Sequence, residues 1–450
     1  MRVSRGARRA ATSACAALLL GIAACEQPAT SDDSNPGSVR LYGTDGNMIN
    51  TFGDEFKEQA GLLAGMKGTT PLTPLSDGFK QRLFGVDPKL GDFVYAAETY
   101  DAIVISSLAA QLAGSTKPSA IARQINGVTA GGTECDGIGD CLPLARQGKD
   151  IAYRGVSLKR GGFTDVGEPS TASYATMHFG ATDRLDDNKT EYVGAGDEST
   201  TTTKPAPRPG KQSPGGAAGE TGAPLVFGGL LPKTGDLALA YPPMGTAAAL
   251  AVKEINAAGG VLGENVVWRD GDDGTSPAVA KRTVRKHIDD GVHVIIGAGA
   301  SSISRAVLPD VVSAGVILFS PCNTDAGLSS IADKGLYFRT APSDILQGKA
   351  LADVIMRDGP QRITIVARKD SYGEGLQANV RTELERVGVP ADRMQMLTYV
   401  PPEPGGDPLD FTAGAQEVKG FAADAVLVIG FGESANVIKA LSGAGVRIHH

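Results

Sequence analysis

The sequence has few cysteines, few aromatic residues and no recognisable set of catalytic side chains. Of its 450 residues, 5 are Cys and only 5% are aromatic. Five cysteines are too few for a scaffold built on disulfides. The five histidines show no metal-ligand spacing and no G-x-S-x-G elbow is present, which leaves no residues for metal or hydrolytic chemistry. We therefore expect no enzyme, no metal and no cofactor.

Positive charge is also scarce, because 43 Lys and Arg face 50 Asp and Glu and give a net charge of -7. A nucleic-acid binder usually has a basic face, so this class is excluded. A chain of this length exceeds one ordinary core and predicts two lobes. The 59 Gly and 26 Pro favour an α/β protein with many turns over a helical bundle.

The first residues are typical of an export signal. Four arginines precede an apolar stretch, and small residues then precede Cys25. This order resembles a bacterial lipoprotein signal, which predicts a signal peptide at 1–24, lipidation of Cys25 and a polar tether at 25–38. An ordinary signal peptide is the alternative. The apolar stretch is too short to span a bilayer, and we expect a protein anchored by lipid at the outer face of the cytoplasmic membrane.

Export implies an oxidising compartment, where two cysteines in one short loop can pair. Cys135 and Cys141 are therefore predicted to form a disulfide, worth roughly 2 kcal/mol by chain entropy. Metal binding by the pair is the alternative. Cys322 stays unpaired.

A segment without apolar periodicity at 194–223 predicts a disordered linker between two folded segments, 39–193 and 224–450. In the second segment, short apolar runs alternate with amphipathic helical patterns, as in Val292 to Ile296 followed by Ser302 to Ala314. This alternation predicts Rossmann-like parallel sheets flanked by helices, with ligands at the carboxyl ends of the strands.

Two segments resemble known binding motifs, but each lacks a residue that its motif requires. In the glycine-rich turn at 297–302, Ser302 stands where a dinucleotide fingerprint needs its third Gly. The acidic run at 270–274 has Gly274 where a calcium loop needs a ligand, and we expect a solvated turn there.

Small polar residues at two neighbouring strand ends remain. Ser301 and Ser302 follow one apolar strand and Thr324 follows the next, so hydroxyl and backbone N–H groups can face one point near a helix N-terminus. Such a corner suits a carboxylate. The alternative is that these residues only cap helices.

Several longer runs carry a specific resemblance. They are GLLPKTGDLA at 229–238, AVKEINAAGGVLG at 251–263, SPCNT at 320–324, YFRTAPSD at 337–344 and YGEG at 372–375. The chain thereby resembles the leucine/isoleucine/valine-binding family of type I extracytoplasmic solute-binding proteins of ABC importers. The resemblance implies a two-lobe α/β fold, a branched-chain or related amino acid bound between the lobes by hinge closure, a permease partner and a monomer. A sensory receptor and an enzyme stay as alternatives.

The order of the halves differs from that family. Residues 39–193 resemble the family's carboxyl-terminal half, through LYGTDGN at 41–47 and YAAETYD at 95–101, yet they precede the amino-terminal half. We interpret this as a circular permutation; a misassembled gene or a truncated tandem fusion are the alternatives. Lobe one would then comprise 224–342 with 71–155, and lobe two 343–450 with 39–70 and 156–193.

The resemblance also implies a set of ligand residues. Ser301 and Thr324 match hydroxyl residues that bind the ligand α-carboxylate, and the carbonyl of Cys322 matches one that accepts from the α-ammonium. Asp45 matches the acidic partner of that ammonium on the other lobe. The remaining ligand-binding residues implied are Ser302, Asn323, Tyr372, Phe431 and Tyr241. Cys322, Asn323, Asp45 and Phe431 depart in type from the branched-chain pattern, which leaves another amino acid, a small amide or urea open as ligand.

Overall fold

The computed structural model describes residues 38–207 and 223–449. The predicted signal peptide, the lipidation of Cys25 and most of the tether lie outside these residues. The strands are β1 Ser38–Gly43, β2 Lys67–Pro71, β3 Thr133–Cys135, β4 Ile151–Tyr153, β5 Thr171–His178, β6 Glu191–Gly196, β7 Val226–Leu230, β8 Val267–Arg269, β9 Val294–Gly297, β10 Ile317–Ser320, β11 Tyr337–Arg339, β12 Ile363–Arg368, β13 Met394–Tyr399, β14 Ala425–Ile429 and β15 Arg447–Ile448. The helices are α1 Asp77–Phe84, α2 Ala96–Ala113, α3 Pro118–Val128, α4 Gly137–Arg146, α5 Tyr241–Ala257, α6 Pro277–Asp289, α7 Ser301–Ala314, α8 Asp344–Met356, α9 Ser371–Arg386, α10 Thr412–Phe421 and α11 Ala435–Gly443.

One sheet has five strands in the order β11-β10-β9-β7-β8, and all of its pairs are parallel. Strands β9 and β10 are buried along their whole length, as continuous apolar runs in a covered parallel sheet should be. Helices α1 to α7 pack on this sheet or on each other. We call this sheet and these helices lobe one.

The second sheet has eight strands in the order β13-β12-β14-β1-β2-β5-β6, with β15 paired to β1. Strands β12 and β14 are buried throughout, and α9 packs on both of them, while α8 packs on β2 and β5, and α10 packs on β13 and α11. We call this sheet with α8 to α11 lobe two. The sheet is parallel as predicted except at one edge, where β5 and β6 are antiparallel to their neighbours. An antiparallel pair needs only a short connection, whereas a parallel one needs a crossover.

The two folded segments of the chain meet inside lobe two. Strand β1, from the first segment, lies between β14 of the second segment and β2, with Leu41 in register with Val426. The last strand also reaches the first, since Val39 pairs with Ile448. One sheet is therefore assembled from both ends of the sequence.

The predicted disordered linker begins too early. Strand β6 extends to Gly196, and the chain continues along the protein to residue 207. The backbone N–H of Thr202 donates to the carbonyl of Phe163 at 2.7 Å, and Gln124 Nε2 donates to the carbonyl of Pro207 at 2.8 Å. These tertiary hydrogen bonds order a stretch that lacks apolar periodicity. Residues 208–222 lie outside the described residues.

The predicted disulfide between Cys135 and Cys141 is confirmed, with Cα atoms 5.3 Å apart. Cys322 is free and buried. Among the described residues, no helix has the length and apolar character needed to cross a membrane.

Candidate functional site

Strands of both sheets end at a common pocket between the lobes. Its cavity volume is only about 10 Å³, and it is lined by Asp45, Gly46, Tyr95, Leu237, Gly299, Ala300, Ser301, Cys322, Thr324, Tyr372 and Phe431. Most of these residues follow the carboxyl end of a parallel strand: β1, β7, β9, β10, β12 or β14. The carboxyl ends of the strands are where open α/β sheets bind their ligands.

Asp45, after β1, is the central acid of the pocket and is only 4% exposed. Its Oδ1 accepts hydrogen bonds from Gln347 Nε2 and from the Tyr372 hydroxyl, each at 2.8 Å. Its Oδ2 accepts one from the Tyr95 hydroxyl at 2.7 Å. Burial raises the pKa of Asp45 above its ordinary value, although these three donors act in the opposite direction. A buried carboxylate of this kind is stabilised by a cationic group.

An aromatic wall stands beside Asp45. The rings of Tyr372 and Phe431 stack with centroids 5.4 Å apart and an interplanar angle of 17°. The Tyr372 hydroxyl also shares a hydrogen bond of 2.8 Å with the hydroxyl of Thr44. Gly46 lets the β1 and β14 loops approach, because a Cβ there would lie 2.4 Å from the carbonyl oxygen of Gly430.

The opposite wall, from lobe one, is rich in hydrogen-bond donors. Helix α7 begins at Ser301, and no side chain caps its N-terminus. Within the described residues, the backbone N–H groups of Ser301 and Thr324 donate to no acceptor. The Ser301 hydroxyl accepts from the backbone N–H of Asp325 at 3.3 Å and does not cap its own helix, contrary to the alternative that it serves only as a cap. Free N–H groups at a helix N-terminus favour an anion.

The loop before Ser301 is held from two sides. Asn323 Nδ2 donates to the carbonyls of Ala298 and Gly299 at 3.1 and 2.8 Å. Asp273 Oδ2 accepts from the backbone N–H of Gly299 at 2.8 Å. Asp273 is fully buried and burial raises its pKa to about 7, so the expected solvated turn at 270–274 is wrong for this residue.

The loop that carries Cys322 and Thr324 is held by a buried arginine. Arg339, at the end of β11, is 1% exposed and donates through Nη1 to the carbonyls of Asn323 and Asp325 at 3.2 and 2.9 Å. Its Nε donates to Glu168 Oε2 at 2.9 Å. A buried cation paired with a partly buried carboxylate therefore fixes the backbone of this wall.

The structure places six of the sequence-predicted ligand residues around the pocket and three elsewhere. Ser301, Cys322, Thr324, Asp45, Tyr372 and Phe431 line it. Ser302 does not, because its hydroxyl donates to Asp370 of lobe two at 3.3 Å. Asn323 turns its amide under the neighbouring loop, and its Oδ1 accepts from the Tyr337 hydroxyl at 3.1 Å. Tyr241 lies at the start of α5, with the Lys233 ammonium 5.4 Å from its ring centroid.

Two side chains of the pocket were missed from the sequence. Tyr95 immediately precedes α2 with a φ of 60°, a left-handed conformation that is uncommon for a bulky residue and aims its hydroxyl at Asp45. Leu237 lies in the loop after β7. The left-handed φ of Tyr95 is the signal that marks this residue as special, and only a structure shows that angle.

The arrangement suits binding more than covalent chemistry. A carboxyl group and an aromatic wall on lobe two face N–H and hydroxyl groups on lobe one. Burial raises the pKa of the Cys322 thiol well above its ordinary value, which opposes its use as a nucleophile. No cluster that could hold a metal ion is found among the described residues.

Comparison with known proteins gives one matching family. A model described as "Periplasmic binding protein" matches residues 224–448. The chain is 26% identical over 236 residues to "Leu/Ile/Val-binding protein homolog 3" of Brucella melitensis biotype 1, covering 52% of this chain and 61% of that protein. It is 34% identical over 139 residues to the leucine-specific-binding protein of Salmonella typhimurium, covering 30% of this chain and 37% of that protein. The chain thus spans less than two thirds of either relative.

A solved structure is similar over a comparable stretch. The branched-chain amino acid transporter substrate binding protein LivJ from Streptococcus pneumoniae, in complex with isoleucine, is 26% identical with a TM-score of 0.42. The match covers 50% of this chain and 63% of that one.

Proposed function

Because the chain belongs to the periplasmic binding protein family, we propose that it binds a small solute between its lobes and presents it to the membrane subunits of an ABC importer. In this proposal the protein is exported, anchored through a lipid on Cys25 and works as a monomer at the outer face of the cytoplasmic membrane. It catalyses no reaction, and no cofactor takes part.

The observation that carries the proposal is the pairing of opposite chemistries across the pocket. Asp45 on lobe two is positioned for a ligand ammonium, while the N–H groups of Ser301 and Thr324 on lobe one are positioned for a ligand carboxylate. A zwitterionic amino acid presents both groups. Tyr372 and Phe431 would then contact its side chain.

Binding would require the lobes to open and close, since the lining residues are nearly all buried and come from both lobes. Closure removes the ligand from water and strengthens its polar contacts. A closed form that differs in shape from the open form is what a permease can recognise.

A small amide or urea is the second candidate ligand. The pocket's cavity volume is small, and all three hydrogen bonds to Asp45 already come from protein donors. Both features favour a compact ligand with a carbonyl oxygen for the Ser301 and Thr324 corner.

We further propose that the chain is a circular permutant of its family. Support comes from β1, which is first in sequence yet central in the sheet of lobe two, and from β15, which pairs beside it. The linker around 208–222 would then join the usual termini of the family.

A thermal-shift screen of residues 26–450 against amino acids, small amides and urea tests the function. A ligand at about a hundred times its Kd stabilises a protein by roughly 2.7 kcal/mol, which is a shift of several degrees in Tm. A hit among amino acids supports the first candidate, and a hit confined to amides or urea supports the second. A cooperative melt that no compound shifts would contradict the proposed ligand classes.

A further inference from the structure

Beside the ligand pocket, charged residues of the two lobes meet. Arg368, the last residue of β12, is 4% exposed and belongs to lobe two. Its guanidinium contacts Asp370 Oδ2 at 2.8 Å through Nε and Glu433 Oε1 at 2.7 Å through Nη1. Lobe two therefore already supplies two carboxylates to this buried cation.

Lobe one adds a third carboxylate to the same cluster. Asp236, in the loop after β7, places Oδ2 at 3.9 Å from Arg368 Nη1. Its backbone carbonyl accepts from the N–H of Gly432 at 3.0 Å, and Ser302 of lobe one donates to Asp370 at 3.3 Å. These contacts hold the lobes together at this point.

The charges in this interface do not balance. Three carboxylates surround one guanidinium, and Asp236 has the longest contact with it. The nearby cation on its own loop, Lys233, pairs with Asp270 instead. When the lobes close, the negative charge of Asp236 therefore comes close to the negative charges of Asp370 and Glu433. All three carboxylates then share Arg368 as their counter-ion.

The cluster is also in contact with the ligand pocket. The guanidinium of Arg368 lies 3.9 Å from the ring centroid of Phe431, which stacks on Tyr372. Leu237, next to Asp236, lines the pocket as well. A change in the charge of the cluster would therefore affect Phe431 and Leu237, which line the pocket.

We propose that Asp236, Arg368, Asp370 and Glu433 form a proton-sensitive latch, in which protonation of Asp236 favours closure of the lobes. The inference rests on the proposed function, because closure around a solute is what gives such a latch a role. Burial, followed by the charge of Glu433, raises the pKa of Asp236 to about 6 in the closed structure, while Arg368 acts in the opposite direction. In an open cleft, the pKa of the Asp236 carboxyl would return towards its ordinary value.

The sign of the effect follows from this difference. A carboxyl whose pKa is higher in the closed form binds a proton on closing. Closure is then favoured at acid pH, and this contribution is lost as the pH rises through about 6. For one proton, the ratio of closed to open molecules should rise by up to about tenfold between pH 7 and pH 5.

The test measures the distance between the lobes without any ligand. Spin labels are attached to cysteines that replace two exposed residues in the chain 26–450, Lys281 on lobe one and Gln416 on lobe two. Cys322 is buried, so it should escape labelling. When the latch residues are wild type, the fraction of molecules with a short distance between the two spin labels should be larger at pH 5 than at pH 7. Asp236→Asn, a neutral mimic of the protonated acid, should show the pH 5 population at both values.

The matched control is Asp310→Asn, which alters an exposed aspartate on α7 of lobe one. It should keep the wild-type pH response. Ser302→Ala removes a hydrogen bond between the lobes and should lower the short-distance population at both pH values. An unchanged distance from pH 5 to pH 7, or a wild-type pH response in Asp236→Asn, would overturn the latch. A failed ligand screen with a clear pH response would count against the proposed function alone.

Discussion

The hydroxyl of Tyr95 donates a 2.7 Å hydrogen bond to Asp45 across the boundary between the lobes. Tyr95 immediately precedes α2 of lobe one, whereas Asp45 follows β1 of lobe two. The other two donors to the carboxylate, Gln347 and Tyr372, belong to lobe two. In the proposed function, closure would therefore complete the hydrogen bonding of the buried acid, and the same acid would contact the ligand.

Replacing the acid by its amide tests its role. Asp45→Asn keeps the size of the side chain but removes the negative charge, so the affinity for an amino acid ligand should fall at least about tenfold, or ~1.4 kcal/mol. Isothermal titration calorimetry with a hit from the screen measures this. Asp54→Asn, at a solvent-exposed carboxylate of the same lobe, should bind normally. Unchanged affinity in Asp45→Asn would remove Asp45 from the site.

Ser301 and Thr324 should matter most for ligands with a carboxylate. The double variant Ser301→Ala with Thr324→Ala removes both hydroxyls and loosens the loop that Ser301 holds through Asp325. We expect a loss of about 1–3 kcal/mol for an amino acid and a smaller loss for its amide. Ser313→Ala, at an exposed position of the same helix, is the control. Equal losses for the acid and the amide would contradict a carboxylate corner.

The strand ends of the site were predictable because they depend on local sequence and one topological rule. Continuous apolar runs such as Val294–Gly297 indicate buried parallel strands, and the carboxyl ends of such strands converge. That rule was enough to predict that Ser301 and Thr324 lie close together. The resemblance added Asp45, Tyr372 and Phe431, which lie on the other lobe.

The residues that were misplaced or missed depend on long-range packing. Asn323 was expected to contact the ligand, but two carbonyls of the adjacent loop take both of its N–H donors. Tyr95 is far from Asp45 in sequence and reaches it only through the placement of α2. Asp273 appears in sequence as a turn residue, and its burial follows from contact with Gly299. A single sequence carries no signal for such pairings.

The proposed permutation predicts that the order of the halves can be reversed. A chain with residues 223–448 first, a short Gly-Ser connector and then residues 38–207 should fold, because Val39 and Ile448 already lie side by side. We expect the same far-UV circular dichroism and the same ligand preference, with a Tm within several degrees of the original. As a control, a chain reordered so that its new ends lie within β12 should not fold, because that strand is buried. Failure of the reordered chain alone would contradict the permutation.

Stability at alkaline pH should depend on Glu98, in the first turn of α2. Its side chain is buried, its Oε2 has no hydrogen-bond partner among the described residues, and burial raises its pKa to about 8. Since this pKa lies above the value in the unfolded chain, the acid contributes most to stability at low pH, and the contribution is lost as the pH rises through about 8.

The variant Glu98→Gln keeps the shape of the side chain without a group that ionises. We expect the Tm of the wild type to fall relative to that of Glu98→Gln between pH 7 and pH 9, as followed by circular dichroism in matched buffers. Glu134→Gln changes an exposed glutamate of the same lobe and should track the wild type. Other buried acids, such as Asp273, also lower stability at alkaline pH, so the test is the difference between the two curves. Parallel curves for wild type and Glu98→Gln would show that Glu98 is already ionised in the folded protein at pH 7, which would contradict the raised pKa.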